Sequence, residues 1–322
     1  MINHRMLLGI NRRILLGALG AALVSPALAQ PITVTLIVPF SPGSVMDIMA
    51  RGFADPLRVA LGTGANVLVL NREGAGGGVG AAAVAQARPD GSTVAFAPSG
   101  MITTLPHLVQ GLPYRFEGFE AVCQNFENIF VLAVGAQSPY RDTASMLATA
   151  RARPETVTWG DAGVGTVGNL IGRQLEQLGG VRMSHVPYRN QGQMMLDVQS
   201  GALDAVITTW ATVRDSGLRV LGVAADQRQA SIPGGPTFAE LGLNVTSRGF
   251  GGLWAPRGLP RDVARRLETA CLEAAGSQAY RDAMERIGQV VAPLGAEAFA
   301  VRLREEERDA KGMIERMGLR VP

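Results

Sequence analysis

Short apolar runs recur along this chain, and most are followed by small residues and then by a stretch with helical periodicity. Residues 34–40 read as a buried strand ending at Pro-Gly punctuation, after which Met49, Phe53 and Leu57 recur at four-residue spacing. Pro56 is expected to kink or restart that helix, with Asp55 able to cap the restart. Residues 67–70 and 93–97 read as further strands, and between them a Gly-rich loop, 74–80, opens an Ala-rich helix to Ala87. Residues 131–134, 156–159, 205–208, 220–224 and 252–255 complete the expected strands. Thr143 and Thr166 stand where they can cap helices. Near the C-terminus Val263, Leu267, Ala270, Cys271 and Ala274 form one apolar stripe, and Phe299, Leu303, Ala310, Met313, Ile314 and Met317 another. Such alternation specifies a parallel α/β architecture, because a parallel pair needs a crossover to return the chain. A length of 322 residues suggests roughly two such units, or one large α/β unit.

Residues 1–29 carry the pattern of an export signal. Arg5, Arg12 and Arg13 give a positive start, 14–24 is an apolar run, and Ala27-Leu28-Ala29 supplies a small-x-small cleavage pattern before Gln30. The run is shorter than the ~20 apolar residues of a spanning helix. The paired arginines admit a twin-arginine route, and a Sec signal is the other reading. Either route predicts a periplasmic protein. The whole chain has 30 basic and 27 acidic side chains. The first 29 residues hold three of the arginines and no acid, so the remainder is formally neutral. The basic isoelectric point therefore belongs to the leader, and no nucleic-acid partner is expected. Only Cys123 and Cys271 occur. An oxidising compartment permits a bridge, but the sequence leaves the pairing open, and Cys271 reads as a small core residue. With no CxxC pair and no HExxH, neither a metal nor a cofactor is expected.

Two of the strand-to-helix loops share one physical form. The first is Phe40-Ser41-Pro42-Gly43-Ser44-Val45-Met46-Asp47, the second Asp161-Ala162-Gly163-Val164-Gly165-Thr166-Val167-Gly168. A helix N-terminus presents unpaired N–H groups and a partial positive charge, and glycine lets the backbone approach a ligand. Such a loop can hold a carboxylate or phosphate without Arg or Lys. Ser44 and Thr166 are expected to add hydroxyl donors. One loop alone reads as an ordinary turn; two, one in each half of an exported chain, read as a clamp. The second loop also spells Gly163-x-Gly165-x-x-Gly168, the dinucleotide fingerprint. No Asp or Glu occurs from 181 to 195 to bind a ribose, although Arg189 could serve a 2′-phosphate. Hydrolase chemistry lacks a GxSxG elbow, and His185 reads as structural. Asp204, at a strand start, could face a cleft or accept from loop N–H groups; Tyr188 and Trp210 could line a pocket.

These segments match a family in order along the chain. Residues 40–51, FSPGSVMDIMAR, resemble the P-F-x-P-G-G-x-x-D-x-x-A-R segment of the Bug-type receptors, the solute-binding components of tripartite tricarboxylate transporters. Residues 71–77 resemble their N-R-x-G-A-G-G, 89–93 their P-D-G-x-T, and 159–170 their G-x-A-G-x-G-x-x-x-x-L. Residues 185–188 match H-V-P-Y, 201–204 G-x-x-D, 236–240 P-T-x-x-E and 255–260 A-P-x-G-x-P. The resemblance implies a type II periplasmic-binding fold, two Rossmann-like lobes joined by two crossing strands with a ligand cleft between them. It implies an export signal at 1–29, a first lobe at 30–130, a second at 131–252 and a return at 253–322, with crossings near 130–134 and 252–255. It implies a monomer, not an enzyme, that captures a small organic carboxylate by hinge closure and passes it to the membrane components of the transporter. Carried over, the ligand-binding candidates are Phe40, Ser41, Gly43, Ser44, Asp47, Ala97 and Ser99 from the first lobe. From the second they are Ala162, Gly163, Gly165, Thr166, Tyr188 and Asp204. Ser44, Val45 and Met46 depart from the family's small residues, and residues 189–195 from its Lys-Gly-Gly segment. Methionines and a valine near the cleft would favour a more apolar acid. A sensory binding protein and an exported dinucleotide-dependent oxidoreductase are the competing expectations.

Overall fold

A computed structural model of the protein describes residues 33–188, 190–245 and 248–317; the export-signal reading and Arg189 fall outside them. The chain runs β1 (Thr33–Val38), α1 (Val45–Leu61), β2 (Asn66–Asn71), α2 (Gly78–Ala85), β3 (Thr93–Pro98), α3 (Gly100–Thr103), α4 (Leu105–Leu108) and β4 (Phe119–Asn128). It continues through β5 (Phe130–Val134), α5 (Thr143–Ala152), β6 (Thr158–Asp161), α6 (Val167–Gly179), β7 (Ser184–Pro187), α7 (Gln191–Ser200), β8 (Ala205–Thr209), α8 (Trp210–Val213) and β9 (Arg219–Ala224). It closes with β10 (Gly249–Pro256), α9 (Arg261–Gly276), α10 (Gln278–Arg286), β11 (Val290–Leu294) and α11 (Ala296–Met317).

The strands form two sheets, one in the order β11-β4-β10-β3-β1-β2 and the other β7-β6-β8-β5-β9. This is the expected two-lobed α/β architecture. The central strands of both sheets are buried on both faces, which is why they read as near-continuous apolar runs. In the first, Leu36, Phe96 and Leu253 enter a core with Phe53 and Leu57 of α1, Cys271 of α9 and Tyr280 of α10. Their chain neighbours Ile37, Ala95 and Trp254 point to the other face, against α2 and Phe299 and Leu303 of α11. In the second sheet Leu132, Trp159 and Ile207 pack with Ile171 and Leu175 of α6. Val131, Ala133 and Val206 pack with Met194 and Val198 of α7 on the opposite face.

Several local readings change. Pro56 lies inside an unbroken α1. The missing N–H costs one helical bond, offset by burial of Phe53 and Leu57, both fully enclosed. Helix α5 is capped by Asp142, in a reciprocal pair with Ser145, and not by Thr143. The Thr143 hydroxyl donates instead to Leu221 O, 2.8 Å away. Strand β4 escapes pattern reading because Gln124 and Asn125 are buried within it. The Gln124 amide is accommodated by Ala292 O at 2.8 Å and the Arg302 guanidinium at 2.9 Å. Cys123 and Cys271 form a disulfide that ties β4 to α9. Met46 and Met194 belong to the two cores, and Val45 packs against the first. The departures at these positions therefore do not argue for an apolar ligand.

Candidate functional site

Strand direction brings the two Gly-rich loops to facing edges. β1, β2 and β3 are parallel, so the loops that follow them leave one edge of the first sheet. β10 is antiparallel to β3 and β4 antiparallel to β10, so Gly249 and Asn128 lie at that same edge. From Asn128 the chain crosses through Ile129 into β5, where Phe130 pairs with Thr209 at the end of β8. β6 is parallel to β8, so the loop after Asp161 leaves the second sheet at the edge where the crossing arrives. The chain thus passes from the first sheet to the second at Ile129. At the junction Leu108 of α4 sits on Gly165, where a β-carbon would overlap it.

The two loops are built by the same device, Gly-[Ser/Thr]-x-x-[Asp/Asn]. In the first, Gly43 has φ 78° and its N–H donates to Asp47 Oδ2 at 2.8 Å. Ser44 caps α1 by accepting from Asp47 N–H at 3.3 Å. In the second, Gly165 has φ 81° and its N–H donates to Asn169 Oδ1 at 3.1 Å. Thr166 caps α6 by accepting from Asn169 N–H at 3.3 Å. Positive φ at both glycines is where a side chain costs about 1–2 kcal/mol. The spacing is a variant of the capping box and was readable in the sequence, yet Asn169 was not singled out. The amides of Val45 and Met46, and of Val167 and Gly168, are first-turn donors with no intrahelical acceptor. Each loop therefore offers an anion at least two N–H groups and the positive end of a helix.

The expected residues divide by what holds them. Asp47 is buried and supports its loop, accepting from Gly43, from Arg51 Nε at 3.0 Å and from Asn71 Nδ2 at 2.9 Å. Burial pushes its carboxyl up, but Arg51, Gly43 and Asn71 outweigh that and hold it below the usual carboxylate range. The Phe40 carbonyl accepts from Asn71 Nδ2 at 2.9 Å. Ser41 is exposed, and its hydroxyl donates to Glu73. Ala97 is buried in β3 opposite Gly252. Ser99 is buried, with its hydroxyl on Phe250 O at 3.0 Å. Ala162 is exposed at the second loop, and Gly163 N–H donates to Asp161 Oδ1 at 2.6 Å. The Thr166 hydroxyl donates to Gly163 O at 2.8 Å, so its proton serves the loop; the Ser44 hydroxyl proton has no such acceptor. Tyr188 donates its hydroxyl to Asp197 at 2.6 Å, and burial together with that carboxylate pushes the phenol up to about 12. Asp204 stands apart. It accepts from Thr158 N–H at 2.8 Å and the Thr158 hydroxyl at 2.9 Å, at the start of β6, while the loop leaves the end of that strand about 10 Å on. Trp210 N–H donates to Ile129 O at 2.7 Å, pinning the crossing.

Beside the loops, a cavity of ≈ 160 Å³ lies between α6 and α11, lined by Thr104, Val167, Leu170, Phe250, Arg302 and Glu306 among others. A larger groove, ≈ 620 Å³, runs along α5 and α6 and is lined by residues that precede β6 and β7, at the opposite edge of the sheet. Glu306 sits in what reads in the sequence as an exposed acidic run. Burial pushes its carboxyl up to about 7, against the pull of the Ser99 and Thr103 hydroxyls and Arg302. A carboxyl raised on folding makes the protein less stable as pH climbs from its ordinary 4.5 to about 7. Glu306→Gln is therefore expected to match the wild type in melting temperature near pH 4 and to exceed it increasingly up to pH 7. Parallel melting curves for the two proteins across that range would contradict the assignment.

Comparison with known proteins places this geometry. The profile of the tripartite tricarboxylate transporter family receptor matches residues 49–319. A UPF0065 protein from the tcbD-tcbE intergenic region of a Pseudomonas strain is 31% identical over 95% of this chain and 94% of its own length. Among solved structures, a solute-binding protein from Polaromonas is 26% identical with a TM-score of 0.74, covering 88% of this chain and 98% of that one. MatC of Rhodopseudomonas palustris with bound malate is 26% identical with a TM-score of 0.76, over the same shares of the two chains. The profile covers every strand but β1 and includes the second loop, and the chain belongs to the tripartite tricarboxylate transporter receptor family.

Proposed function

We propose that this protein is a periplasmic solute-binding receptor that captures a small organic carboxylate between its two lobes and delivers it to a tripartite membrane transporter. The observation that carries the reading is the pair of identically built N-cap loops on the two facing sheet edges. A carboxylate has two oxygens, and the first-turn amides of α1 and α6 supply donors from both sides. Closure then follows from differential affinity: a ligand that bonds both loops favours the arrangement in which they approach. Ile129, where the chain passes between the sheets, would serve as a hinge. The malate bound by MatC supports a carboxylate of that size class. No covalent step is needed, and the residues around the loops act as donors and as scaffolding.

A melting-temperature screen of the refolded protein against di- and tricarboxylates, aromatic acids, amino acids and nicotinamide dinucleotides tests the reading. One acid at about a hundred times its Kd should add roughly 2.7 kcal/mol of stability. Thr166→Phe should remove that response and leave the ligand-free melt within a few degrees of wild type. A response confined to a dinucleotide would overturn the receptor assignment in favour of the fingerprint reading of Gly163, Gly165 and Gly168.

A further inference from the structure

We propose that the cavity between α6 and α11 is a subsite for a cationic group, so that the preferred ligand is a short-chain amino acid with its carboxylate on the second loop and its ammonium in the cavity. The proposal deepens the carboxylate-clamp reading and rests on it for the carboxylate end only. Val167 joins the two places. It opens α6, where its N–H is one of the first-turn donors of the second loop, and it is also a wall of the cavity. Leu170, a further wall, stands one turn on, so the cavity flanks that turn within about 5 Å of the loop amides. Thr104 and Phe250 bound it from the first sheet's side, and Arg302, Glu305, Glu306 and Asp309 from α11.

Charge decides what the cavity accepts. Two guanidiniums line it, and both are paired with acids outside its walls. Arg302 donates to Glu127 and to Gln124 Oε1 at 2.9 Å, and it lies 4.0 Å from the centroid of the Phe250 ring. Arg248 pairs with Asp226 at 2.6 Å and donates to Val245 O at 2.8 Å. Three carboxyls line the same space. Glu305 has no ionic partner among the described residues, and Asp309 has only the exposed Arg308 at 3.4 Å. Glu306 accepts from the Thr103 hydroxyl at 2.9 Å. The balance is negative, so a second carboxylate would be repelled and a cation attracted. Thr104 points the same way. It is 3% exposed, and its hydroxyl bonds nothing among the described residues. A buried hydroxyl left unmet is costly. An ammonium has three donors, for which Thr104 Oγ1 and the carboxyls of Glu306 and Glu305 are acceptors. Val167, Leu170, Ala310 and Met313 give methylenes an apolar wall. The volume of ≈ 160 Å³ holds about five water-sized groups, enough for an ammonium and a short chain. Among the described residues no three His, Cys, Asp or Glu are grouped to hold a metal, which leaves an organic cation.

Acids matched in length and differing only at the far end test this. The sets are 4-aminobutyrate, butyrate and succinate; 5-aminopentanoate, pentanoate and glutarate; and 6-aminohexanoate, hexanoate and adipate. Each is titrated calorimetrically into the refolded protein at about pH 8, where the amines are charged and Glu306, raised to about 7, is ionised. In at least one set the amino acid is expected to bind roughly tenfold or more tightly than the plain acid, and the diacid more weakly than either. Glu306→Gln removes the charge and Thr104→Val the hydroxyl, each at nearly constant size. Each is expected to cut the preference for the amino acid over the plain acid to about threefold or less. Ligand-free melting curves and retained binding of the plain acid show that the variants are folded. A diacid that binds the wild type as tightly as the matching amino acid overturns the proposal and leaves the receptor reading standing. A preference that survives both substitutions overturns it too, because other groups then hold the ammonium. If none of the nine acids binds, the carboxylate reading falls with it.

Discussion

Gly165→Val is expected to lose ligand capture while keeping its fold. Two costs converge on this position. The backbone is held at φ 81°, where a β-branched residue is strained by about 1–2 kcal/mol or more. A β-carbon there would also overlap Leu108, carried by α4 on the far side of the junction. The first cost weakens the second loop; the second pushes that loop away from α4. We expect the ligand-dependent rise in melting temperature to vanish, corresponding to more than about a hundredfold loss of affinity. The ligand-free melt should fall by only a few degrees. Gly180→Ala separates strain from clash. It too has positive φ, 58°, but nothing lies within 4 Å of its missing β-carbon, at the far end of α6. It should cost about 1 kcal/mol of stability and leave binding intact. Adding Leu108→Ala to Gly165→Val should restore part of the affinity if the overlap dominates. Wild-type affinity in Gly165→Val would sink the clamp.

The double variant Cys123→Ala/Cys271→Ala is expected to be the most destabilised of those considered. The bridge closes a loop of 148 residues between β4 and α9. Closing so long a loop restricts the unfolded chain strongly, and a typical contribution is about 2–4 kcal/mol. For a protein of this size that lowers the melting temperature by roughly 5–15 °C. Both side chains are fully buried in the first core, so the alanines also leave a small cavity worth about 1 kcal/mol more. The enclosed segment contains the whole second sheet. Unfolding followed with and without reductant checks the expected loss of stability. Coincident curves would show that the bridge adds nothing.

Pattern reading reached the architecture and the two loops for one reason. Helical period, strand-to-helix order and capping are set by residues within about four positions of each other. Phe53 with Leu57, and Thr166 with its helix, are of this kind. The family segments extended that reading to the lobes. Where local rules gave the wrong answer, packing at a distance had decided. Pro56 stays in α1 because Phe53 and Leu57 are enclosed by α9 and α10. Thr143 yields its capping role to Asp142 because Leu221, 78 residues on, takes its hydroxyl.

Periodicity and capping chemistry are local, so residue order alone specifies an α/β chain with two anion-suited loops. Which polar groups meet depends on how the strands are arranged in space. Asp204 bonds Thr158 across the β6–β8 pair, at the end of β6 opposite the Asp161 loop. His185, read as structural, lies between Asp161 and Asn169 because β7 runs parallel to β6 beneath α6. Glu306 is partly buried because α11 lies against α3 and α4, where Thr103 and His107 bond Glu306 and Glu307 across some 200 residues. Strand order and crossover direction bring such groups together, and no pattern in the neighbouring residues encodes them.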